Sequence, residues 1–79
     1  MTQVWMIRNS DTDIHLFNRY EHLEPSVRIS YSACKDVVIE TVRKPQEVHF
    51  DVSGLRDGEP FSETIHAVCF PVWTEPSHL

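Results

Sequence analysis

In the stretch FSETIHAVC, residues 61–69, an imidazole and a thiol stand three positions apart, His66 and Cys69, beside the carboxylate of Glu63. Side chains of these types can ligate a metal or supply a thiolate nucleophile. Zinc takes four N or S ligands in a tetrahedron, commonly from two short paired spacings. Here one H-x-x-C has no second C-x-x-C or H-x3-H to complete it, and Cys34, His15, His22, His49 and His78 are scattered. A nucleophilic cysteine needs a basic neighbour or a helix N-terminus. Cys69 instead sits between Val68 and Phe70, an apolar setting that disfavours the thiolate. The stretch reads as a core thiol beside an exposed histidine, and the other histidines read as solvated surface.

Paired carboxylates are the other candidates for chemistry: Asp11 with Asp13, Glu21 with Glu24, and Asp57 with Glu59. A hydrolase holds two carboxylates in a cleft that drives their pKa values apart. All three pairs fall in or beside turn-forming sequence, where water solvates both members. They can serve as solvated charge or as contacts for a basic partner, and catalysis by them is not expected.

The elements that must position these groups emerge from periodicity. TQVWMIR is a strand, with Val4 and Met6 on one side and Trp5 and Ile7 on the other. Residues 13–23 fit a strand continuing a hairpin (Ile14, Leu16, Asn18, Tyr20) slightly better than a helical stripe (Leu16, Phe17, Tyr20, Leu23), and Glu24-Pro25-Ser26 is expected to end the element. VRISYS alternates as a half-buried strand. A helix beginning after Ser32 would align Cys34, Val37, Val38 and Thr41, and is the minor alternative to strand there. VIETV-RKPQ-EVHFDV forms an antiparallel hairpin with a four-residue loop and Val48, Phe50 and Val52 inward. GLRDGEP is a turn. Over residues 60–69 a helix puts Phe61, Ile65, Val68 and Cys69 on one face. A strand would put the charged Glu63 on the side of Phe61, Ile65, Ala67 and Cys69, so the helix is slightly favoured. Pro71 is expected to stop it, and residues 70–79 form a tail. The sum is a small α+β domain spanning residues 1–79: an antiparallel sheet of four to five strands with at most one short helix, an all-β meander being the close alternative.

Size and charge narrow the function. A chain of 79 residues leaves little room for both a core and a deep substrate pocket. The formal charge is −5, and residues 47–79 hold Arg56 alone against Glu47, Asp51, Asp57, Glu59, Glu63 and Glu75. A nucleic-acid binder carries a basic stripe, and this chain has none. No apolar run approaches the ~18 residues needed to cross a bilayer, and Arg8 comes after the short Val4–Ile7 run rather than before it as in a signal peptide. The expectation is a soluble cytoplasmic protein with Cys34 and Cys69 as buried free thiols rather than a disulfide.

One compact domain, the acidic turns NSDTD, EHLE and RDGE, and no catalytic apparatus give the chain a character that resembles the small phage-encoded anti-CRISPR proteins. That resemblance is one of type and carries over no residues. It implies a non-enzymatic inhibitor, acting in the host bacterial cytoplasm, that occupies the basic DNA-receiving surface of a Cas effector subunit. Charge alone would place the contact at Asp11, Asp13, Glu21, Glu24, Asp57, Glu59 and Glu63. No cofactor, metal, membrane or direct nucleic-acid contact is expected, and the chain should be a monomer or weak dimer. The alternatives are a small structural or assembly subunit, or a metal-binding or minimal enzyme domain around Cys34, Cys69 and the histidines.

Overall fold

Most of the chain is strand because β-branched and aromatic side chains alternate with polar ones through most of its length. The computed structural model describes residues 2–72. In chain order the elements are β1 (Thr2–Arg8), β2 (Ile14–Phe17), a 3-10 turn (Tyr20–His22), α1 (Leu23–Ser30), β3 (Lys35–Lys44), β4 (Glu47–Arg56) and β5 (Glu59–Val72). The strands form one antiparallel sheet in the order β2-β1-β5-β4-β3. With one short helix on one face, this is a small α+β arrangement, and β3 to β5 within it form a meander. Among the described residues no helix is long and apolar enough to cross a membrane.

The core lies between α1 and the sheet. Trp5 and Ile7 of β1, Val48, Phe50 and Val52 of β4 and Ala67 of β5 meet Leu23, Val27 and Tyr31. The inward set on β4 is the one the alternation indicates, and of the two sides of β1 it is Trp5 and Ile7 that turn inward. α1 corrects the expected strand over VRISYS. Val27 and Tyr31 are four apart, which satisfies both a period of 2 and a helical stripe. Ile29 separates the two readings: a strand would bury it with them, and it is 72% exposed. Pro25 does not end the element. It lies in the first helical turn, where its missing N–H has no intrahelical acceptor in any case. Glu24 and Arg28, one turn apart, are ion-paired at 2.7 Å.

β5 is the second correction. Residues 60–69 are strand rather than helix, and Phe70, Pro71 and Val72 continue it rather than starting a tail; the rest of 70–79 lies outside the described residues. β5 is hydrogen-bonded on both sides, to β1 and to β4, and this pairing outweighs the helical pattern of Phe61, Ile65, Val68 and Cys69. Over residues 13–23 the structure divides the two readings between β2 and the 3-10 turn that leads into α1.

Two hairpin turns set the register. Lys44 pairs with Glu47, so the β3–β4 loop is Pro45-Gln46, two residues shorter than expected. Arg56 pairs with Glu59 across Asp57-Gly58, whose φ values are 54° and 82°. Positive φ at both central positions gives the hairpin turn whose twist matches that of the flanking strands. Between Lys35 and Val38 the β3–β4 ladder shifts register, and Gly54 faces this bulge. A Cβ there would lie 2.8 Å from the Lys35 carbonyl oxygen and 3.2 Å from the Val37 Cα. Both neighbours are backbone and cannot rotate away. Gly54→Ala is therefore expected to destabilise the fold by about 1–3 kcal/mol, read as a lowered urea midpoint.

Candidate functional site

The sheet sorts the reactive side chains first. Successive side chains of a strand point to opposite faces, so His66 and Cys69, three apart on β5, cannot converge. His66 is exposed on the open face and Cys69 is half-buried on the helix side. Cys34, just before β3, is also half-buried, and both thiols are free. Among the described residues no three His, Cys, Asp or Glu side chains are grouped so as to hold a metal.

The seven carboxylates expected to form one contact surface fall into separate groups. Asp11 is ion-paired with Arg8 in the β1–β2 loop. Asp13 accepts from Asn9 at 3.1 Å and bonds the His15 ring at 2.7 Å, and these two partners hold its carboxyl below the ordinary range. Glu24 is paired with Arg28 on α1, and Glu21 lies apart in the 3-10 turn. Only Asp57 and Glu59 stand together, at the β4–β5 turn, with no ion-pair partner among the described residues.

Glu63 has a structural role. It lies on the helix side of β5 opposite the buried Val52. The Tyr31 hydroxyl donates to it at 2.7 Å, and Arg56 donates two further bonds at 3.0 and 3.2 Å. The guanidinium lies 4.5 Å from the Phe61 ring centre, and Phe61 stacks on Tyr31 at 5.6 Å and 7°. This arrangement accommodates the charge that weighs against a strand here. Arg56 first and Tyr31 second hold the Glu63 carboxyl below its usual range. Burial first, and the bond to Glu63 second, push the Tyr31 hydroxyl up to about 12. Tyr31 and Glu63 also wall a cleft of ≈ 230 Å³ between α1 and the sheet, with Ile7, His15, Ser26 and Ser30 on its other sides. Its one carboxylate, Glu63, is bonded to Arg56 and Tyr31.

Beyond the expected residues, the fold brings Asp36 to the end of the sheet that carries Asp57 and Glu59, and places Glu40 and Asp51 at mid-length of β3 and β4. Asp36 lies in the β3 bulge. Glu40 sits directly opposite Asp51, and both are exposed on the face away from α1. Thr64 Oγ1 donates to Asp51 at 2.8 Å, but among the described residues neither carboxylate has a cation. Like charges placed opposite each other on neighbouring strands destabilise a sheet. Among the described residues at this end Lys35 is the cation not already engaged, since Arg56 is held by Glu63. The pairing of Glu40 with Asp51 results from the two-residue Pro45-Gln46 turn; the longer loop read from the sequence places Glu40 opposite His49 and hides it.

The open face also carries uncovered apolar side chains among polar ones. Leu16 is 63% exposed, Val38 56% and Val42 46%, and Ile14 and Val68 join them. In the middle of this face His49 of β4 lies directly opposite His66 of β5. The molecule therefore presents two uncovered features on one sheet, a run of carboxylates along the β3–β4 hairpin and a partly apolar face with a pair of imidazoles at its centre. Neither a protein-family model, nor a curated protein, nor a solved structure matches this chain.

Proposed function

We propose that this chain is a non-enzymatic protein-binding inhibitor of the anti-CRISPR kind, working in the cytoplasm, whose run of carboxylates occupies a basic, nucleic-acid-receiving surface of a Cas effector subunit. The observation that carries the reading is the run of carboxylates along the β3–β4 hairpin, from Asp36, Asp57 and Glu59 at its Lys35 end to the facing pair Glu40 and Asp51 at mid-length. A basic partner would relieve the repulsion between Glu40 and Asp51 and would meet side chains held by paired strands rather than by a mobile loop. Close charge pairs in protein interfaces contribute about 1.5–7 kcal/mol by double-mutant cycles. A few such pairs suffice to displace a phosphate backbone. Glu21, Asp57 and Glu59 of the expected set remain available for contact, whereas Asp11, Asp13, Glu24 and Glu63 are engaged within the chain.

The test is competition. Purified Cas effector complexes are incubated with the chain, and target-DNA binding is followed by gel shift across a salt series. Inhibition that weakens as salt rises is expected. The triple variant Asp36→Asn, Asp57→Asn, Glu59→Lys, which keeps side chains that tolerate the positive φ of residues 36 and 57, should keep its urea midpoint and lose at least about 100-fold in inhibitory potency, the loss of two to three modest pairs. Equal potency of variant and parent, or absence of inhibition across the effector types, rejects the reading. The uncovered apolar side chains of the open face favour a second reading, a small structural or assembly subunit, which predicts stable self-association in light scattering.

A further inference from the structure

His49 and His66 occupy the centre of the open face with their ring centres 4.3 Å apart and their planes at 61°. They sit on adjacent antiparallel strands in direct register, so their Cβ positions are fixed by the ladder. Neutral imidazole is the commonest metal ligand among side chains. Zinc–nitrogen bonds are about 2.0–2.1 Å, so a shared metal requires one nitrogen of each ring to turn toward a common point between rings whose centres are 4.3 Å apart. Glu47 Oε1 lies 3.5 Å from His49 Nε2. A carboxylate so placed can orient an imidazole whose other nitrogen binds metal. One chain thus supplies two well-placed ligands, and among the described residues no third His, Cys, Asp or Glu side chain joins them. Tetrahedral zinc wants four.

The surroundings indicate where the other two come from. Val42 stands opposite His49 on β3, and Val68 lies on the same face as His66, two residues along β5, opposite Met6 and Glu47. The pair is therefore flanked by the apolar Val42 and Val68 and by the polar Asp51, Thr64 and Glu47, the last also paired with Lys44 at 3.6 Å. A second copy placed face to face about a two-fold axis through this point would cover them and bring two more imidazoles to the same place. A two-fold contact is self-complementary by construction, and a half-site on that axis is the one arrangement a second copy completes without further residues. The flanking carboxylates Glu47 and Asp51 supply negative charge around the incoming cation.

We infer that His49 and His66 are one half of a zinc-class divalent metal site, completed by the same two residues of a second copy, so that the metal joins two sheets across their open faces. This pairing is independent of the inhibitor reading: the Asp36→Asn, Asp57→Asn, Glu59→Lys variant leaves it in place.

The untagged chain is titrated with zinc sulfate and followed by calorimetry and sedimentation velocity. The expected result is one zinc per two chains, a zinc-dependent dimer, and return to monomer with a chelator. His49→Ala and His66→Ala should each abolish the zinc-dependent dimer while leaving the circular dichroism spectrum and urea midpoint unchanged. Cobalt substituted for zinc should give the intense visible bands of a tetrahedral site. Failure to bind zinc, one zinc per monomer, a dimer indifferent to zinc, or a zinc response that survives in both variants each overturns the inference.

Discussion

Phe50→Ala should lower the free energy of unfolding by about 3–5 kcal/mol. Phe50 is 1% exposed and lies on β4, which pairs on both sides, with Thr41 across from it on β3 and Ile65 on β5. No neighbour can collapse into the space without breaking one of those ladders. At about 0.05–0.15 kcal/mol per residue, a chain of this length has roughly 4–12 kcal/mol in total, so the variant will be partly or wholly unfolded at room temperature. Urea unfolding followed by tryptophan fluorescence measures the change. Val42→Ala, on the open face of β3, is the control and should shift stability by less than about 0.5 kcal/mol. Similar effects at the two positions would mean that the core does not lie on the helix side of the sheet.

The bonded group of Tyr31, Glu63 and Arg56 gives the second large effect, as a dependence on pH. Tyr31 holds its proton up to about 12 in the folded chain and releases it near 10 when unfolded. Its contribution is complete below about 10 and is lost as the pH climbs toward about 12, on the order of 2 kcal/mol in all. Glu63 acts with the opposite sign. Its carboxyl is held low by Arg56 and Tyr31, so its contribution is present above the ordinary carboxylate range and disappears as the pH falls below it. Chemical denaturation at a series of pH values should show both losses. Tyr31→Phe removes the alkaline one and costs about 1 kcal/mol at neutral pH; Glu63→Gln flattens the acid one. An alkaline slope that persists in Tyr31→Phe would show that the hydroxyl is not confined as described.

Much of the sheet can be read from the chain, and the reasons for the misreadings are local. EVHFDV alternates without exception and its inward set is evident, whereas TQVWMIR runs Val4 to Ile7 apolar throughout, so the strand is legible but not which of its sides is buried. VRISYS misleads because Val27 and Tyr31 are compatible with either period, and only the exposure of Ile29 decides. FSETIHAVC misleads because Glu63 looks like an error in a strand until Tyr31, far away in sequence, and Arg56, across a turn, are seen to bond it. The run of carboxylates is half legible. Asp57 and Glu59 announce themselves in RDGE, but Asp36 comes beside them, and Glu40 comes to face Asp51 further along the hairpin, only through the register of β3 against β4. Charge alone overrates Asp11, Asp13 and Glu24, because neighbours three or four residues away, or a nearby histidine, already engage them.

The place of β5 has a consequence for biosynthesis. The last strand described is also the middle of the sheet, held between β1 at the start of the chain and β4. While the polypeptide is still emerging from the ribosome, the β1–β2 and β3–β4 hairpins have nothing to join them, and each waits with an unsatisfied flank. Long-range closure of this kind is slow, because loop entropy is lost before the rewarding contacts form. The nascent chain therefore passes through a window, ended only by release of residues 59–72, in which it is most prone to stick to its neighbours.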